Sequence, residues 1–594
     1  MSLNHELAEL FNRMAAVMEI KGEIVFKSLA FRKMARVLKD MSLDVREACE
    51  KGKLADIDGC GKSCQKVIED YVKTGKSTDY DELVSSVPAG LLPMLEISGL
   101  GPKTIALFWK EKKITSIEEL LKAIEGGKLA GLKGIGEKKL ASIKEGIAFH
   151  GKSAGRIGIG EALPVAQALL EQVRKIPGVG HAEIAGSLRR GRETIGDVDL
   201  IACADDAAAG QAISSRFVKF PEVDRILGQG HTKASVTTKE GIQVDLRIVP
   251  SVNFGAALLY FTGSKEHNVL LRSRAQGMEL TLNEWGLYKI SEYDKAAKKT
   301  GEAPGARPVA SKSEEEIYAK LGLPPIEPEL REDRGEIDAA LAGKLPRLIR
   351  RDDLRGDLHT HTSASDGGAS IEEMAAAAVE LGYEYLAITD HSKSSVIANG
   401  LTAERLLKHV KAIHQAGETI KGIKLLAGCE VDILADGALD FEDAILAELD
   451  IVVASPHVAL KQDAKKSTER ILRAIDNRYV NIIGHPTGRM INSREGLPLD
   501  FSRIIPAAAA NGIALEINAG YPRLDLNEQN ARAAVAGGVM LAIDTDAHST
   551  AGLSAIGLGL TVARRAWVEA KNVVNCLPFA KLRDFLARKR GRAA

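Results

Sequence analysis

Aromatic residues, cysteines and long apolar runs are all scarce in this chain of 594 residues. Phe, Trp and Tyr together make up 4% of it, and its six cysteines show no paired spacing typical of a metal site. No apolar stretch approaches about 18 residues, which argues against a membrane span. The N-terminus also lacks the basic and then apolar segments of a secretory signal. We therefore expect a cytoplasmic protein without membrane association.

Charge of either sign is not in excess, because 80 Lys and Arg balance 80 Asp and Glu. A protein that coats nucleic acid is usually basic. Any binding to DNA must therefore depend on a few phosphate contacts and on metal ions. The length predicts three to five domains, since single cores stop growing at about 250–300 residues.

A short glycine pattern occurs three times in the first 140 residues. Each copy has an apolar residue and two glycines separated by one residue, followed by a segment expected to be a helix. The glycines allow a tight turn, and the N–H groups at the helix start face an anion. This is the helix-hairpin-helix element, which binds a DNA phosphate without reading bases. The candidate DNA-binding residues are Gly59, Gly61, Gly99, Gly101, Gly134 and Gly136.

Three aspartates indicate a catalytic centre. Asp197 and Asp199 are two residues apart, so on an extended segment both side chains point to one face. Asp245, inside the apolar run from Ile242 to Pro250, can add a carboxylate from another strand. Such a cluster needs bound cations, and its oxygen ligands suit Mg²⁺ or Mn²⁺. Two such ions can activate a hydroxyl and stabilise a leaving pyrophosphate, which predicts a nucleotidyltransferase palm.

Eight of the thirteen histidines follow residue 352. Six of these eight lie in polar motifs that follow apolar segments expected to be strands, such as 385–388, 424–427, 451–454, 480–483 and 540–543. Ligands at the carboxyl ends of parallel strands are typical of a (β/α) barrel, and imidazoles with carboxylates suit Zn²⁺, Mn²⁺ or Fe. The motifs are Asp357-Leu358-His359-Thr360-His361, Ser365-Asp366-Gly367, Thr389-Asp390-His391-Ser392, Gly428-Cys429-Glu430, Ser455-Pro456-His457, Gly484-His485-Pro486 and Asp544-Thr545-Asp546-Ala547-His548.

Four motifs of the first 332 residues carry a family resemblance. They are Gly186-Ser187-Leu188-Arg189-Arg190-Gly191, Gly196-Asp197-Val198-Asp199, Asp245-Leu246-Arg247 and Tyr260-Phe261-Thr262-Gly263-Ser264. In order and spacing this part resembles the family X DNA polymerases, the group of DNA polymerase beta. The sequence departs from the animal enzyme at Lys265, where that enzyme has an acid, and at Val269, where it has a lysine. Contacts to the base pair are therefore expected to differ.

The resemblance implies roles for individual side chains. The residues it places around the triphosphate are Arg156, Gly186, Ser187, Arg190 and Gly196. Tyr260, Phe261 and Gly263 would pack on the incoming sugar and exclude a 2′-hydroxyl. Asn268 and Arg272 would contact the minor groove of the nascent pair.

The first glycine repeat falls in a part that, in this family, is a lyase domain for the 5′-phosphate side of a gap. The Schiff-base lysine of that domain aligns with Lys66. A lysine nucleophile needs a depressed pKa, which desolvation or nearby cations can provide, and Lys27, Arg32 and Lys62 are candidates for the latter. A solvated lysine on a helix is the alternative for Lys66.

The histidine motifs resemble those of the PHP (polymerase and histidinol phosphatase) domain, over residues 353–575. The resemblance implies nine ligands for three ions of Mn²⁺ or Zn²⁺: His359, His361, Asp366, His391, Glu430, His457, His485, Asp546 and His548. His409 and His414 lie on a charged segment expected to be helical and are predicted to be surface residues. Asp390 is predicted to support a ligand rather than to be one.

The predicted fold is a multidomain α/β protein. It comprises a lyase-like helical domain (1–90), a fingers-like helical domain with two further hairpins (91–155), a palm (156–258), a thumb-like domain (259–332), a linker (333–352) with one short helix around 337–345, and a distorted (β/α)7 PHP barrel (353–594). We expect a monomer that binds gapped or primed DNA and dNTPs. Its predicted activity is short-gap filling in base excision repair, with 3′-5′ exonuclease and further abasic-site or 3′-phosphate hydrolysis by the barrel.

Two other functions are compatible with parts of the sequence. A template-independent nucleotidyltransferase would keep the palm, although the hairpin repeats and the Tyr260-Phe261 pair argue against it. A DNA-end-binding scaffold with a structural barrel would not need a complete set of metal ligands.

Overall fold

The computed structural model describes the chain at residues 3–22, 25–40, 45–57, 59–97, 100–129, 132, 134–137, 139–141, 143–144, 146–147, 156–293 and 306–589. Gly99, one of the predicted DNA-binding glycines, lies outside these residues. Among the described helices, none is long and apolar enough to cross a membrane.

Helices form the start of the chain, as the spacing of its apolar residues predicts. Phe11, Met14 and Met18 are buried on one face of the first helix, and Phe11 stacks on Phe31 with 5.3 Å between ring centroids. The helices are Leu3–Lys21, Val25–Asp40, Val45–Glu50, Lys62–Thr74 and Thr78–Ser85. Their apolar faces pack into one core.

A second helical core follows and contains the helices Pro102–Lys112 and Ile117–Glu125. Val17 and Ile20 of the first helix are also buried in this core. The two helical units therefore share the helix Leu3–Lys21.

The palm is built on a five-stranded sheet. Strands β1 to β7 are Ile157–Gly158, Ala182–Ile184, Thr194–Ile195, Val198–Cys203, Val223–Gln229, Lys233–Thr238 and Gln243–Val249. The sheet order is β2-β4-β7-β6-β5, with β4 and β7 parallel, and β1 pairs with β3 outside it. The palm helices are Ile159–Arg174, Gly186–Arg189 and Ala207–Phe217. Alternating burial along β6 shows that one face of the sheet packs on the core.

The thumb follows the palm through the apolar helix Phe254–Thr262. A second helix, Lys265–Gly277, begins at Ser264, whose side chain accepts a hydrogen bond from the His267 N–H. The hairpin of β8, Leu280–Asn283, and β9, Gly286–Lys289, and the helix Glu314–Lys320 complete the thumb.

The segment predicted as a linker is packed against the thumb. Its helix spans Glu336–Leu341 and is shorter than the expected 337–345. Glu336 is fully buried, and its Oε1 lies 2.7 Å from His267 Nδ1. A buried hydrogen-bonded contact therefore holds the segment against the thumb helix Lys265–Gly277.

Seven parallel strands form a nearly closed barrel, in chain order from β10 to β16. They are Gly356–Asp357, Tyr385–Ile388, Lys424–Asp432, Ile451–Ser455, Ile482–Ile483, Ala514–Asn518 and Leu541–Asp544. A parallel bridge between Thr360 and Ala547 joins the first strand to the last. The barrel helices are Ile371–Glu380, Ala403–Thr419, Asp443–Leu446, Ala464–Asp476, Phe501–Asn511, Glu528–Ala536, Ile556–Arg565 and Phe579–Ala587.

One strand differs from the sequence prediction in a way that affects the site. The third strand, β12, continues to Asp432, so Glu430 lies within it and not after its end. The reason is a change of neighbour, because residues 424–427 pair with β11 and residues 428–432 pair with β13.

The palm rests directly on the barrel. A Cβ at Gly158 would lie 1.9 Å from the hydroxyl oxygen of Tyr521, and a Cβ at Gly160 would lie 2.4 Å from its ring. The same hydroxyl donates to Glu161 Oε1 at 2.6 Å. Only glycine admits the Tyr521 ring at these positions, so the contact is fixed by the sequence at the start of the helix Ile159–Arg174.

Candidate active sites of the palm and the barrel

The three palm aspartates meet at one edge of the sheet. Asp199 of β4 pairs with Asp245 of β7 in parallel register, and Asp197 directly precedes β4. Carboxylate oxygens of all three lie within 4.8 Å of one another. Gly186 makes room for them, since a Cβ there would lie 2.3 Å from Asp199 Oδ2.

The electrostatics of this cluster fit divalent cations. Burial, together with the Asp197 carboxylate, raises the pKa of Asp199 to about 6. Burial acts in the same direction on Asp245, but hydrogen bonds from Lys233 and Ser235 hold its pKa below the usual value. Lys233 Nζ lies 2.7 Å from Asp245 Oδ2. The cluster thus attracts positive charge, and its oxygen donors suit Mg²⁺ or Mn²⁺.

The residues predicted to hold a triphosphate surround the loop from 186 to 196. Arg190 is held from the thumb side: its Nη1 donates to the Thr262 carbonyl at 2.5 Å, and its Nε donates to Glu332 at 3.0 Å. Arg156 donates to the side chain and the carbonyl of Thr194, at 3.0 and 2.6 Å. Ser187 is part-buried.

The residues predicted to face the sugar and the base pair lie on two consecutive helices. The rings of Tyr260 and Phe261 are perpendicular, with centroids 5.1 Å apart. Asn268 donates to the Tyr260 carbonyl at 2.7 Å, and Arg272 donates to the Asn268 carbonyl at 3.3 Å. Gly263 has a positive φ of 69°, and a Cβ there would lie 3.3 Å from Arg190 Nη1. This contact connects the sugar residues to the triphosphate residues.

Helix starts lie where the glycine repeats predict them. Gly61 immediately precedes Lys62–Thr74, and Gly101 precedes Pro102–Lys112. Gly59 and Gly134 have positive φ, and no atom lies within 4 Å of a Cβ placed at Gly61, Gly101, Gly134 or Gly136. The backbone at these turns is therefore open to a phosphate.

Lys66 has surroundings that oppose the predicted lyase role. Its ammonium lies 2.6 Å from Asp79 Oδ1, and its side chain is largely exposed. The hydrogen bond to Asp79 raises the pKa of Lys66, whereas a Schiff-base lysine needs a lowered pKa. Lys27 and Lys62, proposed as helping cations, are exposed, and Arg32 is paired with Glu19 at 2.9 Å.

The predicted ligands of the barrel converge at the carboxyl ends of its strands. They form three overlapping groups whose ligand atoms lie within 4.8 Å of one another: His361, Asp366, His391 and His548; His359, His361, Glu430 and Asp546; and His391, Glu430 and His457. His485, the ninth, has its Nε2 2.8 Å from Glu430 Oε1. Glu430 therefore lies at the centre of the cluster.

Buried polar atoms without a hydrogen-bond partner show that this cluster fits metal ions. They include His359 Nε2, both ring nitrogens of His361, Glu430 Oε2 and Asp546 Oδ1. Unpaired buried polar atoms are costly and therefore rare, unless an ion completes their coordination. Burial, followed by the neighbouring imidazoles of His548 and His391, lowers the pKa of His361 to about 4.

Carboxylates outside the predicted set orient the imidazoles. His359 Nδ1 lies 2.7 Å from Glu516 Oε1, and His457 Nδ1 lies 2.6 Å from Asp432 Oδ1. Such pairs fix the ring and the tautomer of a ligand. Sequence reasoning missed both acids, although Glu516 is the one charged residue of the apolar strand Ala514–Asn518, which was a usable signal.

The surface prediction for His409 is wrong. Its side chain is only 9% exposed, and its Nε2 lies 2.8 Å from Asp390 Oδ2. His409 is one turn along the helix from the buried Leu406, which places it beside the apolar face. Asp390 also accepts a hydrogen bond from the Thr362 hydroxyl. His414, the other histidine predicted to lie on the surface, is half exposed.

Four protein-family descriptions match segments of the chain. The families are described as a helix-hairpin-helix domain at residues 2–77, a SAM-like helix-hairpin-helix tandem at 91–148, DNA polymerase beta thumb at 257–332 and PHP domain at 357–519.

Relatives are known for the whole chain and for its C-terminal part. The chain is 38% identical over 585 residues to the DNA polymerase/3′-5′ exonuclease PolX of Bacillus subtilis, covering 98% of this chain and 99% of the relative. It is 31% identical over 245 residues to a probable phosphatase of Thermoanaerobacter sp., covering 39% of this chain and 95% of that protein. A probable phosphatase of Caldanaerobacter subterraneus is 32% identical over 203 residues, which are 32% of this chain and 75% of that protein.

One assignment follows from three observations. They are the motifs of the palm, the ligand cluster of the barrel and an identity that extends over nearly the full length of both chains. The protein belongs to the PolX family, the family X DNA polymerases that carry a C-terminal PHP domain.

Proposed function

We propose that this protein fills short gaps in DNA at the palm and hydrolyses DNA 3′ ends at the PHP cluster. The observation that carries the proposal is the presence of two separate ligand clusters in one chain, three aspartates in the palm and nine imidazoles and carboxylates in the barrel. The name of the Bacillus subtilis relative combines the same two activities. A role in base excision repair follows from gap filling.

In the palm, Asp197, Asp199 and Asp245 would hold Mg²⁺ or Mn²⁺. Such ions activate the primer hydroxyl and stabilise the leaving pyrophosphate. The chain's own residues position the reactants. Arg190, held by Glu332 and the Thr262 carbonyl, would bind the triphosphate. Tyr260 and Phe261, which directly precede Thr262, would restrict the sugar.

In the PHP domain, the nine ligands would hold three ions of Mn²⁺ or Zn²⁺. Mixed nitrogen and oxygen ligands favour these metals over Mg²⁺. Ions in such a site lower the pKa of bound water and polarise a phosphate, so no side-chain nucleophile is required. Glu516 and Asp432 keep His359 and His457 oriented toward the cluster.

The hairpin turns indicate which DNA substrate the protein would prefer, namely a short gap with a 5′-phosphate. The turn at Gly59 and Gly61 offers backbone donors for the downstream 5′-phosphate, and the turn that includes Gly101 offers them to the primer strand. Because only a handful of phosphates are contacted, affinity should depend on salt with a small slope.

The test uses purified protein, Mn²⁺ and a 5′-labelled primer in a short gap with a 5′-phosphate. With dNTPs we expect extension to the end of the gap, and without dNTPs we expect shortening of the primer. Equal extension on open templates would contradict the gap preference. Addition without a template, or equal use of ribonucleotides, would favour a template-independent transferase, and absence of both activities would favour a scaffold.

A second activity of the same PHP centre is supported by the phosphatase relatives, which align with the barrel. A terminal 3′-phosphate is a monoester and an internal linkage is a diester, but hydrolysis of either one breaks a P–O bond by attack of water on phosphorus. We propose that the cluster also removes 3′-phosphates and hydrolyses abasic sites. Release of inorganic phosphate from a 3′-phosphorylated primer, followed by its extension, tests this proposal.

A further inference from the structure

A cavity of about 370 Å³ lies where the palm meets the PHP domain. Arg156, Glu193 and Thr194 line it from the palm, and the loop 489–496 lines it from the barrel. The two sides are joined by a hydrogen bond from the Asn492 side chain to the Arg156 carbonyl at 3.0 Å. The cavity is thus a shared feature of the two catalytic domains.

Its charge is unevenly compensated. Arg489 is neutralised by Glu193 at 2.8 Å. By contrast, Arg156 donates only to oxygens of Thr194, and both recorded side-chain bonds of Arg494 go to the Gly488 carbonyl. In the part of the chain that the structure describes, no carboxylate lies within 4.0 Å of either guanidinium. The exposed Glu495 contributes the other negative charge of the lining. Two guanidinium groups are therefore available for an anion.

The loop of Arg494 packs against the loop of Arg523, which lies beside the PHP cluster. The Ile491 N–H donates to the Pro522 carbonyl at 2.8 Å, which packs the loop of Arg494 against the loop of Arg523. Arg523 Nε lies 3.7 Å from Oδ2 of the predicted metal ligand Asp546. Burial first, and then the charge of Arg523, lower the pKa of Arg494, whereas the Asp525 carboxylate acts in the opposite direction.

We infer that Arg156, Arg494 and Arg523 bind the sugar-phosphate backbone of a frayed primer 3′ end as it passes from the palm to the PHP cluster. This inference rests on the proposed function. A single strand fits better than a triphosphate alone, because Arg523, on the neighbouring loop, lies beside a metal ligand of the second centre. Contacts to phosphates alone would make the passage independent of sequence.

The experiment measures excision, without dNTPs and with Mn²⁺, from a gapped duplex whose primer ends in two mismatched nucleotides. Arg494→Gln should raise the KM for this DNA by about tenfold, as expected for one charged hydrogen-bonded contact. The slope of log KM against log salt should fall by about 0.7, the value for one phosphate of a single strand. Arg494→Lys keeps the charge and should keep the slope. The matched control is Arg473→Gln, which removes an exposed arginine that pairs with Asp436.

The outcomes separate this inference from the proposed function. If the wild type does not excise the primer, the proposed nuclease is wrong. If the wild type excises and Arg494→Gln has an unchanged KM and salt slope, the strand passage alone is wrong. A higher KM for dNTPs in gap filling, with excision unchanged, would assign the guanidinium groups to the triphosphate and overturn the inference. If Arg494→Gln does not fold, Arg523→Gln is compared with the wild type for KM and salt slope in the same way. Its bound Mn²⁺ is measured as well, because Arg523 lies beside the predicted ligand Asp546.

Discussion

Arg565 of the PHP domain pairs with Glu332 at the end of the thumb, with 3.0 Å between Nη1 and Oε1. The same nitrogen donates to the Arg190 carbonyl at 2.5 Å, and Glu332 in turn accepts from Arg190 Nε at 3.0 Å. Arg565 is 1% exposed and Glu332 is 11% exposed. A residue of the nuclease domain is therefore in direct contact with a residue of the proposed nucleotide site.

Glu332→Gln should weaken both the fold and nucleotide binding. It leaves Arg190 and Arg565 without their shared carboxylate, and breaking a buried pair costs about 3–5 kcal/mol. We expect a lower thermal midpoint and a higher KM for dNTPs in gap filling. Glu469→Gln is the control, because Glu469 pairs with Arg503 in an exposed position worth less than about 1 kcal/mol. Equal effects of the two substitutions would show that the network does not position Arg190.

A second acid of this interface predicts a dependence of stability on pH. Glu528 accepts from Arg565 at 3.1 Å and from Arg334 at 3.0 Å. Burial opposes ionisation, but these two arginines lower the pKa of Glu528 to about 2, against about 4.3 in an unfolded chain. The folded state therefore gains up to about 3 kcal/mol above pH ~5, and this is lost as the pH falls toward 2. The thermal midpoints of wild type and Glu528→Gln should differ most at neutral pH and should converge only as the pH approaches 2.

The side chains that carry chemistry could be predicted from the sequence because their spacing encodes their geometry. Asp197 and Asp199 must share a face on an extended segment, and residues at the ends of parallel barrel strands must meet. Five of the barrel strands and the helix starts after Gly61 and Gly101 follow from apolar runs and glycine pairs in the same way. Local patterns were sufficient for these features.

Partners far apart in the chain could not be predicted. His359 and Glu516 are 157 residues apart, and Glu332 and Arg565 are 233 apart. No local pattern links such pairs, because only the folded barrel brings them together. Lys66 shows the same limit, since its pKa depends on Asp79 in the next helix and not on the cations near it in sequence.

Lys66 should not form a Schiff base. Its ammonium is stabilised by Asp79, so the neutral amine that attacks an aldehyde is scarce at neutral pH. Borohydride treatment with DNA that ends in a 5′-deoxyribose phosphate should give no adduct at Lys66, and Lys66→Ala should fill gaps at the rate of the wild type. A peptide cross-linked at Lys66 would show that DNA binding separates it from Asp79.

Asp199→Ala should abolish nucleotide addition and leave 3′-end hydrolysis intact. Asp199 lies between Asp197 and Asp245 in the palm cluster, and it shares no ligand group with the barrel. The measurement is extension and shortening of the same labelled primer. Asp205→Ala is the control, since Asp205 is an exposed aspartate that bonds Ser251. Loss of both activities in a folded Asp199→Ala protein would contradict two independent centres.

His361→Ala should remove the nuclease, because His361 belongs to two of the three ligand groups of the barrel. Its imidazole is fully buried, and Nε2 lies 2.9 Å from Asp546 Oδ1. The substitution should therefore lower the amount of Mn²⁺ or Zn²⁺ bound per protein, which elemental analysis measures. It should also abolish degradation of a 5′-labelled single strand, while gap filling continues. His359→Ala should do the same.

His414→Ala is the matched control, since this imidazole is half exposed and pairs with Asp450 outside the cluster. If His361→Ala loses metal and still degrades DNA as fast as the wild type, the nuclease lies elsewhere and the barrel is structural. If it keeps both metal and activity, His361 is not a ligand.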